Sequence, residues 1–598
     1  MCGIVGYVGE REAYTILHES LKRLEYRGYD SCGIVTLDKG RFHVKKDKGK
    51  IDEVLRDIKL EGNLGIGHTR WATHGIPSQK NAHPFFDCEG KIALVHNGII
   101  QNYDELKEHL IRKGHFFVSE TDTEVICHLI EEEMKEVKDL EEAVKNALRK
   151  LKGSYAVAII STEFDGIVIA RKESPLVIGI GNGEYFVASD IPALLKETNR
   201  ITIMEDNEYG VLKNNGFYIK SLIEDEKIEK KILTVDWTPD MAEKGGYDYF
   251  MHKEINEQPI AIRETLRMKE KELDKIIEVL DTKKNIFLVA CGTSYHAAMA
   301  GKYALSKLAN LNTDVIIASE FKEFASVDEN SIVMAISQSG ETADTLSAIR
   351  HAKNKKATVI AMTNVIGSSI TREAEMVCYT YAGPEIGVAA TKTFAVQLAY
   401  LSYIAIELGK RRGLINEEKY KKLIEELENI PNLVEYVLSK QNEIKKIAKI
   451  YKERDDFYFI GRGISYATSL EGALKLKEIS YIHAEGFPGG ELKHGPLALI
   501  EENVPVVAVI PLGESYERML GNIEEVKARG ASVIAVASEK DEKIVKLADH
   551  IILMPEIDES LSPMLYVVPL QLIAYFVAVE RGLDPDKPRN LAKSVTVE

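Results

Sequence analysis

Residues 287–293 read Phe287-Leu288-Val289-Ala290-Cys291-Gly292-Thr293, an apolar strand that passes through a glycine turn into a helical pattern. The pattern returns at residues 457–463, and the offset from Gly292 to Gly461 is 169 residues. In both regions apolar strands alternate with helical segments, which is typical of a parallel sheet with helices on both faces. We therefore expect a duplicated, doubly wound α/β domain with a flavodoxin-like arrangement of parallel strands.

The first 220 residues show a different pattern of predicted secondary structure. Short β-rich runs are separated by glycines, and the turns at Asp165-Gly166 and Gly181-Asn182-Gly183 favour antiparallel hairpins. Helical patterns at 11–24, 103–113 and 123–135 predict an α+β domain with helix-covered sheets. The expected organisation is a first domain over 2–220, a linker over 221–250, α/β domains over 251–430 and 431–583, and a tail over 584–598.

The charge and cysteine content of the chain argue against several classes of function. The 598 residues carry a net charge of −16, which disfavours binding to nucleic acid or to an anionic membrane surface. The start lacks a secretory signal pattern, and the apolar stretches 394–408 and 566–579 are too short to span a bilayer. Six cysteines without a CxxC pair indicate free thiols in a reducing compartment. We expect a soluble, cytoplasmic protein.

Cys2 follows the initiator methionine directly. Methionine is usually removed before a small side chain, so we expect a mature chain that begins with cysteine. Its α-amine, with a pKa of about 8, could then act as a base for the thiol. Taken alone, however, Cys2 is better explained as a buried cysteine at the start of a strand.

Two loops have the composition of phosphate sites. Ser337-Gln338-Ser339-Gly340-Glu341-Thr342 follows a predicted strand and opens a helix, and Gly292-Thr293-Ser294 makes a similar turn. Hydroxyls and free N–H groups at a helix N-terminus suit a phosphate, although such turns are often only caps. The absence of GxxxxGK[ST] argues against a nucleoside triphosphate.

The N-terminal motifs resemble the class II glutamine amidotransferases, which are N-terminal-nucleophile hydrolases. The motifs that carry this resemblance occur in order along the first domain: Cys2-Gly3-Ile4-Val5-Gly6, Arg27-Gly28-Tyr29-Asp30-Ser31, His68-Thr69-Arg70-Trp71-Ala72-Thr73-His74-Gly75, His96-Asn97-Gly98 and Ser119-Glu120-Thr121-Asp122-Thr123-Glu124.

The resemblance implies a role for each residue. Cys2 would attack the glutamine amide, and Asn97 and Gly98 would form the oxyanion hole. Arg70 would bind the substrate α-carboxylate and Asp122 its α-ammonium group. The remaining residues of the implied glutamine pocket are Trp71, Thr73 and His74.

Competing interpretations of these residues remain open at this stage. Asp122 could instead cap the helix that follows it, since Thr121-Asp122-Thr123-Glu124 precedes an apolar helical pattern. The histidines 68, 74, 83 and 96 could suggest a metal, but they lack tight helical spacing and no cysteine accompanies them. We expect neither a metal nor an organic cofactor.

The second half resembles the sugar isomerase (SIS) domain family, which binds phosphosugars. Further motifs narrow the resemblance to the glutamine–fructose-6-phosphate aminotransferase family: Glu471-Gly472-Ala473-Leu474-Lys475-Leu476-Lys477-Glu478, Gly490-Glu491-Leu492-Lys493-His494-Gly495-Pro496 and the terminal stretch from Pro588 to Glu598. The substrates implied are L-glutamine and D-fructose 6-phosphate, and ammonia would pass internally between the two sites.

By this resemblance Lys593 forms a Schiff base with the sugar, Glu478 moves a proton during isomerisation, and His494 acts in ring opening. The implied sugar-phosphate residues are Thr293, Ser294, Ser337, Gln338, Ser339, Thr342, Val388 and Lys475. Ala390 stands where the family usually has serine, so one hydroxyl contact is missing. Taken alone, Glu471 and Lys475 would also fit a surface ion pair at i,i+4 spacing.

Two alternatives are weighed against this function. One is another class II amidotransferase, which the duplicated SIS half and Lys593 argue against. The other is a phosphosugar-sensing regulator with a silent glutaminase domain, which the intact set of Cys2, Arg70, Asn97 and Asp122 argues against. The resemblance also implies a homodimer formed through the SIS half, with His494 supplied across the interface.

Overall fold

The computed structural model describes residues 2–72, 74–267, 271–282 and 285–596. The chain forms two compact units, the first comprising the residues up to Glu243 together with the tail from Ala592, and the second running from Lys244 to Leu591. The segment 221–250, expected to be a linker, contains two short strands of the first unit and crosses the division between the units.

Among its described residues, the first unit contains fifteen strands and five α-helices. The strands are β1 (Gly3–Val8), β2 (Ser31–Asp38), β3 (Arg41–Lys48), β4 (Leu64–Arg70), β5 (Phe85–Phe86), β6 (Ile92–Ile100), β7 (Gly153–Ser161), β8 (Phe164–Lys172), β9 (Val177–Ile180), β10 (Tyr185–Ala188), β11 (Arg200–Ile203), β12 (Glu208–Lys213), β13 (Gly216–Ser221), β14 (Lys227–Ile228) and β15 (Leu233–Thr234). The helices are α1 (Ala13–Lys22), α2 (Ile51–Val54), α3 (Tyr103–Arg112), α4 (Glu124–Val137) and α5 (Leu140–Arg149).

These strands form an eight-stranded sheet in the order β15-β11-β9-β10-β1-β4-β2-β3 and a seven-stranded sheet in the order β14-β13-β12-β8-β7-β6-β5. Their pairings are antiparallel. An apolar core contributed by both sheets lies between them. Helix α1 packs on the first sheet, and α4 and α5 pack on the second. The α+β prediction for this domain is confirmed.

Two glycines in β4 explain how closely α1 approaches the first sheet. A Cβ atom on Gly65 would lie 2.9 Å from Leu17, and one on Gly67 would lie 3.0 Å from Leu21. The alternate residues Leu64 and Ile66 point into the core between the sheets. Strand alternation therefore places large side chains on one face and glycines on the face that receives the helix.

The second unit contains twelve α-helices and ten strands among its described residues. The helices are α6 (Phe250–Arg267), α7 (Lys271–Thr282), α8 (Gly292–Ala309), α9 (Phe321–Phe324), α10 (Ala343–Asn354), α11 (Ser369–Glu373), α12 (Lys392–Arg411), α13 (Glu417–Ser439), α14 (Gln441–Tyr451), α15 (Ile464–Ser480), α16 (Tyr516–Lys527) and α17 (Ser562–Glu580). The strands are β16 (Asn285–Ala290), β17 (Asp314–Ile317), β18 (Ser331–Ser337), β19 (Thr358–Thr363), β20 (Met376–Tyr379), β21 (Asp456–Gly461), β22 (His483–Pro488), β23 (Pro505–Ile510), β24 (Ser532–Ser538) and β25 (His550–Met554).

The duplication predicted from the sequence is confirmed. Strands β16–β20 form one five-stranded sheet in the order β17-β16-β18-β19-β20, and β21–β25 form another in the order β22-β21-β23-β24-β25. Both sheets are parallel and share the strand order 2-1-3-4-5 of doubly wound folds. In this topology, ligands bind at the carboxyl ends of the strands, where the turn at residues 292–294 and the loop at residues 337–342 lie.

One helix in the described part of the chain, Glu559–Glu580, is long and apolar enough to cross a membrane by length and composition. However, 94% of its most apolar window is buried within the protein. This region contains α17, which packs against α13, α14 and α15. The apolar stretch predicted over 566–579 is therefore a core helix.

Candidate active site

Cys2 lies at the start of β1, beside the end of β4. The antiparallel register pairs Gly3 with Thr69, which brings Cys2 next to Trp71. The Trp71 backbone N–H donates to Cys2 Sγ at 3.3 Å. Burial raises the pKa of the Cys2 thiol, while this N–H, Arg70 and Arg27 act in the opposite direction. The thiol is therefore held protonated, and attack requires a base to take its proton.

Asn97 on β6 reaches the backbone of Cys2. Its Nδ2 donates to the Cys2 carbonyl oxygen at 3.1 Å and to Ser189 Oγ at 2.8 Å. His68 Nε2 lies 3.1 Å from Asn97 Oδ1 and 3.0 Å from the His96 carbonyl oxygen. Because both oxygens are acceptors, His68 Nε2 carries the proton, and this contact orients the Asn97 amide with Nδ2 towards Cys2. Burial lowers the pKa of His68 to about 3, which keeps the ring neutral.

Gly98, the second residue predicted for the oxyanion hole, follows Asn97 in a conformation that favours glycine. Its φ is +127°, and a Cβ atom would lie 2.1 Å from the Ser154 carbonyl oxygen. Both hydrogens of the Asn97 side chain have acceptors, so the predicted oxyanion role requires the amide to give up one of these acceptors.

Arg70, at the end of β4, is a buried cation with an unused donor. Its Nη2 donates to the carbonyl oxygens of His74 and Gly75. Its Nη1 is buried without a hydrogen-bond partner among the described residues. Burial lowers the pKa of Arg70, whereas Cys2, Asp122 and Asp30 raise it. A buried unpaired guanidinium donor is suited to receive a carboxylate from a ligand.

Asp122 does not cap α4, so the capping interpretation is wrong. Its Oδ2 accepts from the Ile100 backbone N–H at 2.8 Å, which ties the buried carboxylate to the end of β6. The N-cap residue of α4 is Thr123, which makes no side-chain cap bond. Trp71 packs edge-on against Tyr29, and His74 packs edge-on against Tyr103. Thr73, also predicted for the glutamine pocket, lies outside the described residues.

The phosphate-type loop of the second unit is ordered by its own hydroxyls. Ser337 Oγ accepts from the Gly340 backbone N–H at 3.1 Å and lies 3.1 Å from Thr342 Oγ1. Ser339 Oγ accepts from the Glu341 backbone N–H at 3.2 Å. The Gln338 carbonyl oxygen accepts from the Asn364 backbone N–H. The loop thus forms a compact turn at the carboxyl end of β18, ahead of α10.

A buried charge cluster joins the two α/β repeats. Lys475 Nζ on α15 lies 2.6 Å from Glu478 Oε2 and 3.4 Å from Glu471 Oε1, and it donates to Thr293 Oγ1 at 3.0 Å. Both Lys475 and Glu471 are fully buried, so the surface ion-pair interpretation is wrong. Burial by itself lowers the pKa of Lys475, because it disfavours the charged ammonium. The nearby carboxylates of Glu478 and Glu471 outweigh this effect and raise the pKa above its ordinary value.

Four other residues predicted for the sugar site have different surroundings. Ser294 Oγ is buried and accepts from Gln397 Nε2 at 3.0 Å, while Val388 is buried in the loop before α12. His494 ends a 3-10 segment, Gly489–His494, and is exposed. Lys593 belongs to the tail grouped with the first unit, and its side chain is half-buried.

The site includes residues to which the sequence analysis gave no role. Arg27 Nε donates to the Cys2 carbonyl oxygen at 3.1 Å and Arg27 Nη1 lies 3.0 Å from Asp190, so the start of the chain is held by a buried ion pair. His296 Nδ1 lies 2.8 Å from Glu471 Oε2. Arg27 belongs to the motif Arg27-Gly28-Tyr29-Asp30-Ser31, so the sequence could have indicated its role. His296 contacts Glu471 only because α8 packs against α15, which the sequence does not reveal.

The comparisons with known proteins agree with both halves. The glutamine amidotransferase domain family matches residues 68–196, and the SIS domain family matches residues 279–407 and 449–581. A glutamine–fructose-6-phosphate aminotransferase [isomerizing] of Thermococcus kodakarensis is 53% identical over 604 residues, with all of both chains covered. One of Methanothermobacter thermautotrophicus is 53% identical over 605 residues, again with all of both chains covered.

The chain belongs to the glutamine–fructose-6-phosphate aminotransferase family. A solved structure also resembles the second half, namely the C-terminal domain of glucosamine-fructose-6-phosphate aminotransferase from Francisella tularensis. It aligns with a TM-score of 0.55 and 40% identity, covering 58% of this chain and 100% of that domain. The similarity to named family members therefore spans the full chain, including the tail with Lys593.

The position of the Asn97 side chain beside Cys2 predicts the effect of its removal on kcat. Replacing Asn97 by alanine removes the predicted oxyanion donor, and we expect kcat for glutamine hydrolysis to fall by about 10²–10³-fold. The control is Asn182→Ala, which removes an amide from an exposed turn of the same unit. Glutamate release under saturating glutamine measures the effect, with circular dichroism to verify folding. A folded Asn97→Ala variant with kcat equal to that of Asn182→Ala would contradict the assignment.

Proposed function

We propose that this protein converts L-glutamine and D-fructose 6-phosphate into L-glutamate and D-glucosamine 6-phosphate. Full-length similarity to named family members supports the reaction. The observation that carries it is the convergence of Trp71, Asn97 and Arg27 on Cys2, with the unpartnered Arg70 donor on the adjoining strand. Such an arrangement suits nucleophilic attack on an amide substrate that carries a carboxylate.

The glutaminase step proceeds through a thioester. After removal of Met1, the free α-amine takes the thiol proton as Cys2 Sγ attacks the amide carbon of glutamine. Asn97 Nδ2 and the Gly98 backbone N–H stabilise the oxyanion, while Arg70 holds the α-carboxylate and Asp122 the α-ammonium. Ammonia leaves with the transferred proton, and water then hydrolyses the γ-glutamyl thioester to glutamate. Trp71, Thr73 and His74 complete the pocket.

The sugar step takes place in the SIS half. The loop containing Ser337, Gln338, Ser339 and Thr342 binds the phosphate, since hydroxyls and N–H groups ahead of a helix suit a dianion. Lys593 holds the open-chain keto sugar as a Schiff base, and ammonia displaces it at C2. Glu478 then moves a proton between C1 and C2 to give the aldose.

The remaining predicted sugar-site residues have supporting roles in this proposal. Thr293, Ser294 and Val388 contact the sugar phosphate from neighbouring loops. Lys475 Nζ lies 2.6 Å from Glu478 Oε2, and this ion pair holds in position the carboxylate that is proposed to move the proton.

We also propose a cytoplasmic homodimer formed through the SIS half. His494 would act in ring opening at the site of the partner chain. Its exposed position at the end of a 3-10 segment, with no hydrogen-bond partner among the described residues, supports a role completed by a second copy.

Replacing the nucleophile tests the two half-reactions separately. In Cys2→Ala we expect glutamine hydrolysis to fall by roughly 10³-fold or more, because no thiol remains to form the thioester. Fructose-6-phosphate isomerisation should persist, since it uses residues of the SIS half. The matched control, Cys32→Ala, removes a buried thiol from β2 of the same unit. Glutamate and hexose-phosphate products are measured by mass spectrometry. Full glutamine hydrolysis by Cys2→Ala would disprove the nucleophile assignment.

Borohydride trapping tests Lys593. Reduction of the enzyme with fructose 6-phosphate should add the sugar phosphate to the peptide containing Lys593, because borohydride reduces an imine to a stable amine. Lys593→Arg should abolish the label, whereas Lys546→Arg, a change at an exposed lysine, should retain it. Labelling of a different lysine in the wild type, or no labelling, would rule out this Schiff base.

A further inference from the structure

Four side chains of the first unit converge at a place that the glutaminase assignment does not use. Cys88 lies in the turn after β5, His115 follows α3, and His128 and Glu131 are three residues apart on α4. Their candidate ligand atoms all lie within 4.8 Å of one another. Both histidines are buried, Glu131 is half-buried and Cys88 is exposed. Three separate chain segments therefore supply a compact thiol, imidazole and carboxylate group.

The distances match the edges of a metal-centred tetrahedron. Cys88 Sγ lies 3.7 Å from His115 Nδ1 and 3.5 Å from His128 Nδ1. Glu131 Oε2 lies 3.0 Å from His115 Nδ1 and 3.2 Å from His128 Nδ1. A tetrahedral zinc site has S···N edges of about 3.6 Å and N···O edges of about 3.3 Å, given the usual bond lengths to zinc. Four of the six edges therefore already have the spacing of ligands of one ion, and the other two are no longer than 4.8 Å.

The other nitrogen of each ring faces a carboxylate. His115 Nε2 lies 3.0 Å from Glu132 Oε2, which also pairs with Lys135. His128 Nε2 lies 3.5 Å from Glu124 Oε1. Carboxylates behind the ligating rings fix the ring orientation and are common around protein-bound zinc. Each ring thus directs Nδ1 inward and Nε2 towards an outer carboxylate.

A hydrogen-bond network centred on Glu131 is the competing explanation. Glu131 Oε2 also accepts from the Cys88 backbone N–H at 3.0 Å. However, each Nδ1 carries at most one hydrogen, yet each lies close to both the Cys88 sulfur and the Glu131 oxygen. In that network the Cys88 thiol also bonds to Glu131 and to the Phe116 backbone, but these bonds do not account for its closeness to both Nδ1 atoms. A central cation accounts for the closeness of all four atoms.

We propose that Cys88, His115, His128 and Glu131 bind one Zn²⁺ ion. A thiolate, two imidazoles and a carboxylate favour zinc over magnesium or calcium, which prefer all-oxygen sites. Binding converts the Cys88 thiol to a thiolate and releases its proton to solvent. Four protein ligands complete the tetrahedron, so the ion is structural. The expectation of no metal rested on the histidines at 68, 74, 83 and 96, none of which belongs to this cluster.

The site supports the segment that leads to Asp122. Glu124, behind His128, accepts from the backbone N–H groups of Val118 and Ser119 at 2.8 and 2.7 Å. Zinc on His128 and Glu131 would anchor the first turns of α4 to Cys88 and so hold this segment in place. The ion stabilises the first unit and takes no part in the chemistry at Cys2.

Metal analysis of the full-length protein tests the site directly. Protein purified without a metal-affinity tag should contain about one zinc per chain by inductively coupled plasma mass spectrometry. Cys88→Ser combined with His128→Ala should reduce this to near zero. The control His109→Ala changes an exposed histidine on α3 and should retain zinc. The proposal would be overturned if the wild-type protein contained no zinc and also failed to bind added Zn²⁺, since the four side chains would then form only a hydrogen-bond network. It would also be overturned if the double variant retained zinc, since the ion would then be bound elsewhere.

A second measurement needs no variant. In the zinc-loaded wild type, Cys88 should react with an alkylating reagent at least tenfold more slowly than after chelation, as read by peptide mass spectrometry. The half-buried Cys291 of the second unit provides the internal reference, whose rate should not respond to the chelator. Equal Cys88 rates with and without chelator would overturn the proposal.

Discussion

The antiparallel pairing of β1 with β4 is the constraint on which the glutaminase site depends. It places Cys2 beside Trp71 and Arg70, because the first residues of β1 pair with the last residues of β4. Glycines facing α1 allow this central part of the sheet to be covered closely on its outer face. Arg27, which is buried and paired with the half-buried Asp190, also donates to the Cys2 carbonyl oxygen and so fixes the Cys2 backbone. A chain end is normally the most mobile part of a protein, and these contacts hold it in place, as the nucleophile role proposed for Cys2 requires.

The second unit depends on a buried charge cluster in an analogous way. Lys475 is fully buried and its ammonium is balanced by Glu471 and Glu478, with Thr293 from the other repeat completing the hydrogen bonds. Removing one partner of such a pair costs about 3–5 kcal/mol, because the remaining charge is left buried and uncompensated. The cluster adds little net stability, so its value lies in fixing the carboxylate of Glu478 between two repeats.

Much of this could be predicted from the sequence. The repeat at Gly292 and Gly461 indicates two parallel sheets. It could be recognised because an apolar strand followed by a glycine turn is visible within a few consecutive residues of the sequence. Asp122 was ambiguous because capping and ligand-binding carboxylates share the same local sequence, and only its bond to Ile100 on a distant strand decides between them. The burial of Glu471 and Lys475 depends on α8 packing against α15. Cys88, His115 and His128 are separated along the chain, so their convergence required the fold.

The central claim is that one chain joins glutamine hydrolysis to amination of a sugar phosphate. Its most direct test is to incubate the wild-type enzyme with fructose 6-phosphate and glutamine labelled with ¹⁵N at the amide, and to weigh the hexosamine phosphate by mass spectrometry. We expect glucosamine 6-phosphate that carries the ¹⁵N label, formed in an amount equal to the glutamate released. Glutamate release without any labelled amino sugar would contradict it.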